Sequence, residues 1–200
     1  MLPHILGYEV FMKFSKFFLS IIAFSAVCTS SYAKNSKCIV IYESQTGFTA
    51  KYAQWIAQEL GCECKYRKDI ASDELKNYET VIYGGWIRAN KIVSLSKTQK
   101  KIKPSVIFAV GSTPAYEEVI EEIKKSNKIS TPFVYFEGGF DFEKLSSFQK
   151  KILLIMKKQV AKKENKTRQE IFMVENLGTS FDHSSKDQII PLVDFVRATK

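Results

Sequence analysis

Residues 38–60, CIVIYESQTGFTAKYAQWIAQEL, contain a strand, a loop and a helix in direct succession. The first five residues are almost continuously apolar and rich in β-branched side chains, which is typical of a central parallel strand buried on both faces. From residue 48 to residue 60, apolar residues recur at helical spacing, and Gly61 follows where a C-terminal cap is needed. A strand that leads directly into an amphipathic helix favours a parallel α/β sheet.

The same alternation continues along the chain. We predict four further strands, at residues 62–66, 80–83, 105–110 and 132–136. We predict a helical turn at 73–75 and helices at 116–125, 145–160 and 189–196, and we interpret residues 171–174 as an irregular connection or edge segment. Five strands alternating with helices predict an α/β fold, a doubly wound parallel sheet of order 2-1-3-4-5 with helices on both faces.

Ligands of such sheets bind at the carboxyl ends of the strands, near the point where the strand order reverses. The loop after the first strand supplies hydroxyl groups, a glycine and the free N–H groups of a helix start. These are the donors that a phosphate dianion requires, and the helix dipole favours its charge. The predicted phosphate loop consists of Ser44, Gln45, Thr46, Gly47, Phe48 and Thr49. The alternative is a Ser/Thr-rich helix cap that binds no ligand.

Two further loops follow the third and fourth strands and should flank a ligand at the same edge. We predict contacts from Gly84, Gly85, Trp86, Ile87 and Arg88 in one, and from Gly111, Ser112, Thr113, Pro114 and Tyr116 in the other. Glycines let the backbone approach a ring closely. Either aromatic residue is equally consistent with stacking on a ligand ring and with ordinary packing. The arginine either stabilises negative charge at the site or is simply solvated.

The motif S-Q-T-G-F-T resembles the phosphate loop T/S-x-T-G-x-T of flavodoxins, and it stands between a first strand and a first helix as in that family. The resemblance extends over about 160 residues, and it implies a flavodoxin-like domain at residues 37–200 that binds FMN. It also implies electron transfer or oxidoreduction with a redox partner protein or a quinone. The positive charge departs from the acidic electron carriers of that family.

The C-terminal half resembles flavodoxin-type protoporphyrinogen IX dehydrogenases. The resemblance lies in residues 133–139, 150–158 and 167–170, and in Ile87 and Arg88 after the third strand. It implies a porphyrin as a candidate anionic substrate, with electrons passing to quinone. The predicted long helix also carries many lysines, which fit either an anionic membrane surface or an ordinary solvated face. The lysines are Lys150, Lys151, Lys157, Lys158, Lys162 and Lys163.

Other sites are disfavoured by what the sequence lacks. It contains no G-x-x-x-x-G-K-[ST] and no G-x-G-x-x-G after a strand, which disfavours a P-loop nucleotidase and a dinucleotide site. No Ser/His/Asp or Cys/His constellation accompanies the loops, so we predict no catalytic side chain, and chemistry that belongs to the cofactor. The remaining alternative is a flavodoxin-fold module that binds an anionic partner without a cofactor.

The first 33 residues have the layout of a secretory signal peptide. Lys13 and Lys16 precede an uncharged run that ends in Ser31, Tyr32 and Ala33. We therefore expect an exported or membrane-associated protein cleaved after Ala33. The alternatives are an uncleaved N-terminal helix and a cytoplasmic location.

The net charge and the cysteines limit the possible partners and sites less strictly than the motifs do. The net charge of +9 attracts anions such as a lipid surface or a carboxylated substrate, and we expect no nucleic-acid partner. If Cys28 leaves with the signal, Cys38, Cys62 and Cys64 remain, an odd set without the look of a disulfide scaffold. We place Cys62 and Cys64 in the second strand, expect buried or half-buried thiols, and predict no metal site.

Overall fold

A computed structural model describes residues 37–199. Its main sheet contains β1 (Cys38–Glu43), β2 (Glu63–Tyr66), β3 (Thr80–Arg88), β4 (Lys91–Ile92), β5 (Val106–Gly111) and β6 (Phe133–Glu137). The order is β2-β1-β3-β5-β6, and every pair along this path is parallel. The predicted five-stranded parallel sheet and its order are confirmed. The strand numbers differ from the predicted order only because the two-residue β4, which forms an antiparallel hairpin with β3, is counted between them.

The helices are α1 (Phe48–Leu60), α2 (Leu95–Gln99), α3 (Glu117–Asn127), α4 (Ser147–Ala161), α5 (Arg168–Asn176) and α6 (Ile190–Ala198). Short 3-10 turns lie at Arg67–Asp69, Glu74–Asn77 and Lys186–Ile189, and β7 (Gly139–Phe140) pairs antiparallel with β8 (Phe181–Asp182). Within residues 37–199, no helix combines the length and apolar character needed to cross a membrane. The predicted leader, residues 1–33, lies outside the described residues.

Helices cover both faces of the sheet, as predicted. On one face, α1 and α6 pack against the strands, and their side chains join one continuous core with Val40 and Phe108. On the other face, α2 and α3 pack through Leu95 and Ile123 against a second core that contains Tyr83. All five of these side chains are at most 1% exposed, so the strands are buried on both sides as their apolar runs require.

The third strand is longer than the sequence indicated. The predicted loop that begins at Gly84 was wrong, because β3 continues to Arg88 and turns into β4 through Ala89 and Asn90. Both turn residues have positive φ (46° and 60°), the backbone of a tight two-residue hairpin. A Cβ on Gly84 would lie 2.0 Å from the Phe108 ring, so this glycine is explained by core packing.

The C-terminal half departs further from expectation. Residues 171–174, predicted as an irregular connection, lie inside α5, which begins with a complete capping box between Thr167 and Glu170. The long helix predicted at residues 145–160 is present as α4, and no residue of it is buried. Helix α4 packs mainly on α5 rather than on the sheet, and several of its apolar side chains, among them Phe148 and Ile155, are exposed.

The cysteines also differ from expectation, because Cys38 and Cys62 form a disulfide bond. Their proximity follows from the parallel register: Ile39 of β1 pairs with Glu63 of β2, and each cysteine precedes one of these residues. Cys62 therefore lies just outside the strand in which we placed it. Cys64 is a half-buried free thiol, and burial raises its pKa to about 11.

Candidate functional site

The loop between β1 and α1 lies at the carboxyl edge of the sheet, beside the ends of β3 and β5. Gly47 occupies the N-cap position with a φ of 103°, a left-handed conformation that strains any residue with a side chain. The Gly47 N–H donates to Ser44 Oγ at 3.2 Å and closes the turn. These two residues therefore shape the loop from within.

The first turn of α1 presents donors that have no partner in the described part of the chain. No side chain caps this helix, and neither the Phe48 nor the Thr49 N–H group has an acceptor among residues 37–199. Thr49 is 1% exposed as a whole residue, and its hydroxyl has no hydrogen-bond partner among the same residues. Because no buried side-chain oxygen or nitrogen in this part of the chain is unpaired, the hydroxyl oxygen itself is not sealed in the core. Unpaired donors at the start of a helix suit an external acceptor, and the helix dipole favours an anionic one.

These donors face a cavity of about 160 Å³ to which all three predicted loops contribute. The predicted residues that it brings together are Gln45, Thr46, Phe48, Thr49, Trp86, Ile87, Gly111 and Ser112. None of the residues that line it is charged. An anion held here would be bound by neutral donors alone.

The other predicted site residues do not line this cavity. Gly84 and Gly85 lie inside β3, where Phe108 and Ile92 occupy the space next to them. Arg88 is exposed at the end of that strand. Ser44 and Gly47 form the turn, Thr113 lines a neighbouring cavity, and Pro114 lines neither of the two cavities. Tyr116 packs on the second core, with the Arg168 guanidinium 4.6 Å above its ring.

Four residues of the cavity wall were missed: Val110, Gly139, Phe140 and Leu145. Val110 belongs to β5, and the other three follow β6, where β7 pairs with β8 to hold Phe140 opposite Phe181. A Cβ on Gly139 would lie 2.3 Å from the Phe48 ring, so glycine lets this segment approach α1. The adjacent glycines 138 and 139 were visible in the sequence, but we did not include them among the predicted site residues.

A second cavity, of about 460 Å³, adjoins the first and shares Ser112 and Phe140 with it. Its remaining wall comes from Ala89 and Thr113, from α4 and α5, and from Leu177 and Phe181. Most of this wall is apolar. Glu170 is the one ionisable residue among those that line it, and its hydrogen bond from Lys163 lowers the pKa of the carboxyl.

The elements around the first cavity are fixed by buried hydrogen bonds. The Tyr52 hydroxyl of α1 donates to the Glu137 carbonyl at 2.6 Å, and burial raises the pKa of Tyr52 to about 12. The Tyr135 hydroxyl donates to the Thr113 carbonyl, and a Cβ on Gly111 would lie 2.3 Å from that hydroxyl. Contacts with neighbouring strands therefore hold the loops at the cavity in place.

The lysine nearest the start of α1 has a structural role. Lys51 Nζ donates to Asp182 at 2.9 Å and to Ser184 Oγ at 2.7 Å, which ties α1 to β8 and the residues after it. In the part of the chain that the structure describes, no three His, Cys, Asp or Glu side chains are grouped to hold a metal ion.

Fold and site together define a doubly wound α/β protein with an anion-accepting loop after its first strand. The flavodoxin domain family matches residues 39–168, and the chain belongs to that family. No curated protein matches the chain.

Several solved structures resemble parts of the chain. A flavodoxin from the domain Archaea is 17% identical over 50% of this chain and 84% of its own, with a TM-score of 0.36. Oxidised flavodoxin 2 from Bacillus cereus is 18% identical over 51% and 84%, with a TM-score of 0.38. The rubredoxin oxygen:oxidoreductase of Desulfovibrio gigas is 21% identical over 50% of this chain and 29% of its own, with a TM-score of 0.35. The family match, rather than these partial likenesses, carries the assignment.

Proposed function

We propose that this protein binds FMN in the first cavity and takes part in electron transfer or oxidoreduction through it. The observation that carries the proposal is the uncapped start of α1 beside the first cavity, where two N–H groups and the Thr49 hydroxyl lack partners within residues 37–199. Helices α4 and α5 begin with complete capping boxes, whereas α2, α3 and α6 also lack a side-chain cap, so α1 is distinguished by the cavity that its start lines. A helix start left open beside a cavity at the strand ends is a suitable phosphate site.

The residues at the cavity fit both parts of this cofactor, its phosphate and its ring. Thr49 and the backbone of Thr46 and Phe48 would hold the phosphate, and Trp86 and Phe140 would shield the ring from water. Bound FMN supplies the chemistry by accepting and returning electrons, and the chain supplies binding and orientation. Because no charged residue lines the cavity, Thr49 and the amides replace the cation that a phosphate site often uses.

The second candidate is a flavodoxin-type protoporphyrinogen IX dehydrogenase that passes electrons to a quinone. The larger cavity supports the quinone part of this reaction, because that cavity adjoins the first and has a mostly apolar wall suited to a flat neutral ring. Its one ionisable lining residue is the acidic Glu170, which would repel the carboxylates of a porphyrin. The wall therefore favours a neutral ring such as a quinone over a porphyrin.

We also propose that the protein works outside the cytoplasm, after export by its leader. The disulfide between Cys38 and Cys62 supports this, because such bonds form and persist in oxidising compartments. Sequencing the N-terminus of the protein from its native host is the test. We expect it to begin at Lys34, and a native protein that retains Met1 with two reduced thiols would contradict the proposal.

Titrating the purified full-length chain with FMN and with riboflavin tests the cofactor. We expect FMN to bind and riboflavin, which lacks the phosphate, to bind far more weakly. Thr49→Val should weaken FMN binding by about tenfold or more, because a hydrogen bond to a charged group contributes about 1.5–3 kcal/mol. It should leave riboflavin binding unchanged.

Thr179→Val is the matched control, because Thr179 is exposed and its hydroxyl donates to Asn176 rather than facing the cavity. This variant should bind FMN like the parent chain. If the parent chain binds no FMN, or binds riboflavin equally well, the proposal fails and the cofactor-free module replaces it. A separate test of the second candidate is reoxidation of the reduced, FMN-loaded protein by a quinone under anaerobic conditions.

A further inference from the structure

Helix α4 presents an apolar surface to the outside of the protein. Phe148 is 73% exposed and Ile155 is 50% exposed, and Ile152 and Met156 are exposed as well. At about 3.6 residues per turn, these four side chains fall within an arc of about 100°. We call them the α4 apolar face. A contiguous apolar face of this kind on a soluble domain is typical of an interaction surface.

Lysines flank this face on one side. Lys151, Lys158 and Lys162 are exposed, and none of their ammonium groups has a hydrogen bond or ion pair within residues 37–199. Lys150 and Lys157, on the inner side of the helix, bind protein acceptors instead. Helix α4 contains no acidic residue. The outer side of the helix therefore combines apolar side chains with positive charge that nothing in this part of the chain neutralises.

We propose that the α4 apolar face docks on an anionic lipid surface. Apolar side chains enter the boundary between headgroups and acyl chains, while the lysine stems lie along it and their ammonium groups meet lipid phosphates. A second copy of the chain fits this face poorly, because the lysines of two copies would meet with no acidic residue on α4 to separate them.

Docking in this orientation also places the larger cavity near the lipid. Leu153, on the inner side of α4, lines that cavity. The cavity then lies about one helix diameter, about 10 Å, from the lipid surface. This consequence does not depend on FMN binding, so the docking proposal and the cofactor proposal fail independently.

The test uses the full chain and sedimentation with vesicles of phosphatidylcholine, alone or mixed equally with phosphatidylglycerol. We expect binding to the mixed vesicles and not to phosphatidylcholine alone. Lys151→Glu with Lys158→Glu should weaken binding at least tenfold, because each lysine near an anionic surface contributes about fivefold. Ile152→Ser with Ile155→Ser should weaken it by about tenfold or more, through lost apolar burial.

Matched controls change the same residue types elsewhere. Lys97→Glu alters an exposed lysine of α2, and Ile190→Ser alters an isoleucine of α6 that is 52% exposed. Both should bind vesicles within about twofold of the parent chain. All these positions are exposed, so circular dichroism and thermal unfolding should confirm that each variant is folded.

A fluorescence readout reports on α4 itself. In a Phe148→Trp chain, the added indole should shift to shorter wavelength when mixed vesicles are present, beyond any shift of the parent chain. Vesicle binding that survives both α4 double variants would overturn the proposal, as would binding without the added shift. A dimer that Ile152→Ser with Ile155→Ser dissociates, without any effect on vesicle binding, would assign the face to self-association instead.

Discussion

Helices α1 and α4 look alike in sequence but lie in opposite environments. Both carry an apolar stripe, and both are longer than any other helix in residues 37–199. The stripe of α1 is buried against the sheet, while that of α4 faces outward. The N-termini of the two helices also differ. The Ser146 side chain caps the start of α4, whereas no side chain caps the start of α1. The spacing of apolar residues therefore predicts that a helix has an apolar side, but it does not predict what that side contacts.

Matched truncations should separate the two helices most clearly. Ile56 of α1 is fully buried and Ile155 of α4 is 50% exposed. Ile56→Ala should lower the free energy of unfolding by about 4 kcal/mol, through lost burial and a cavity. Ile155→Ala should change it by less than about 0.5 kcal/mol. Urea unfolding measures both, and similar losses in the two variants would contradict the different environments of the helices.

Removal of the disulfide should have the next largest effect on stability, because this bond ties the end of α1 covalently to β1. Its two cysteines are separated by 24 residues in sequence. Replacing both by alanine should lower the free energy of unfolding by about 3 kcal/mol, as expected for a loop of this length. Cys64→Ala is the control, and its loss should be clearly smaller. Equal denaturation midpoints for the parent and the double variant would exclude a stabilising bond.

The burial of Tyr52 on the inner side of α1 should make the stability of the protein depend on pH. Burial raises the pKa of this phenol from 10 to about 12, so folding favours its protonated form. Its contribution to stability is complete below pH 10 and is lost as the pH rises towards 12. Tyr52→Phe should cost about 1 kcal/mol at neutral pH, through the lost bond to the Glu137 carbonyl.

The same variant should also show a shallower decline between pH 10 and pH 12 than the parent chain. Some decline should remain, because burial also raises the pKa of Tyr83 and Tyr135. Urea midpoints across this range measure the effect. An identical slope in the two proteins would show that Tyr52 does not titrate with unfolding.

Removal of the α4 cap should have the smallest global effect. Ser146→Ala should cost α4 about 1 kcal/mol locally, because the Ser146 side chain accepts from the Gln149 N–H. Hydrogen exchange within α4 should rise by several fold while global stability changes by less than about 0.5 kcal/mol. A global loss as large as the local one would mean that α4 unfolds together with the core.

Local patterns accounted for the sheet and for the first loop. The apolar run after Lys37 and the glycines near the strand ends lie close in sequence to the elements that they define. The continuation of β3 required β4 as a partner, and the disulfide required the register between β1 and β2. Phe140 reaches the cavity only because β7 pairs with β8, which is distant in sequence. What could not be predicted was thus set by contacts between segments far apart in the chain.

The placement of Trp86 in a strand has a consequence for how this protein can change. Its backbone pairs with Val110 of β5, and its carbonyl accepts from the Val93 N–H at 3.0 Å. That wall of the cavity cannot be lengthened or reshaped by insertion without breaking the sheet. Engineering, or natural divergence, towards a different ligand would therefore act through the segment that follows β6, where Phe140 and Leu145 lie.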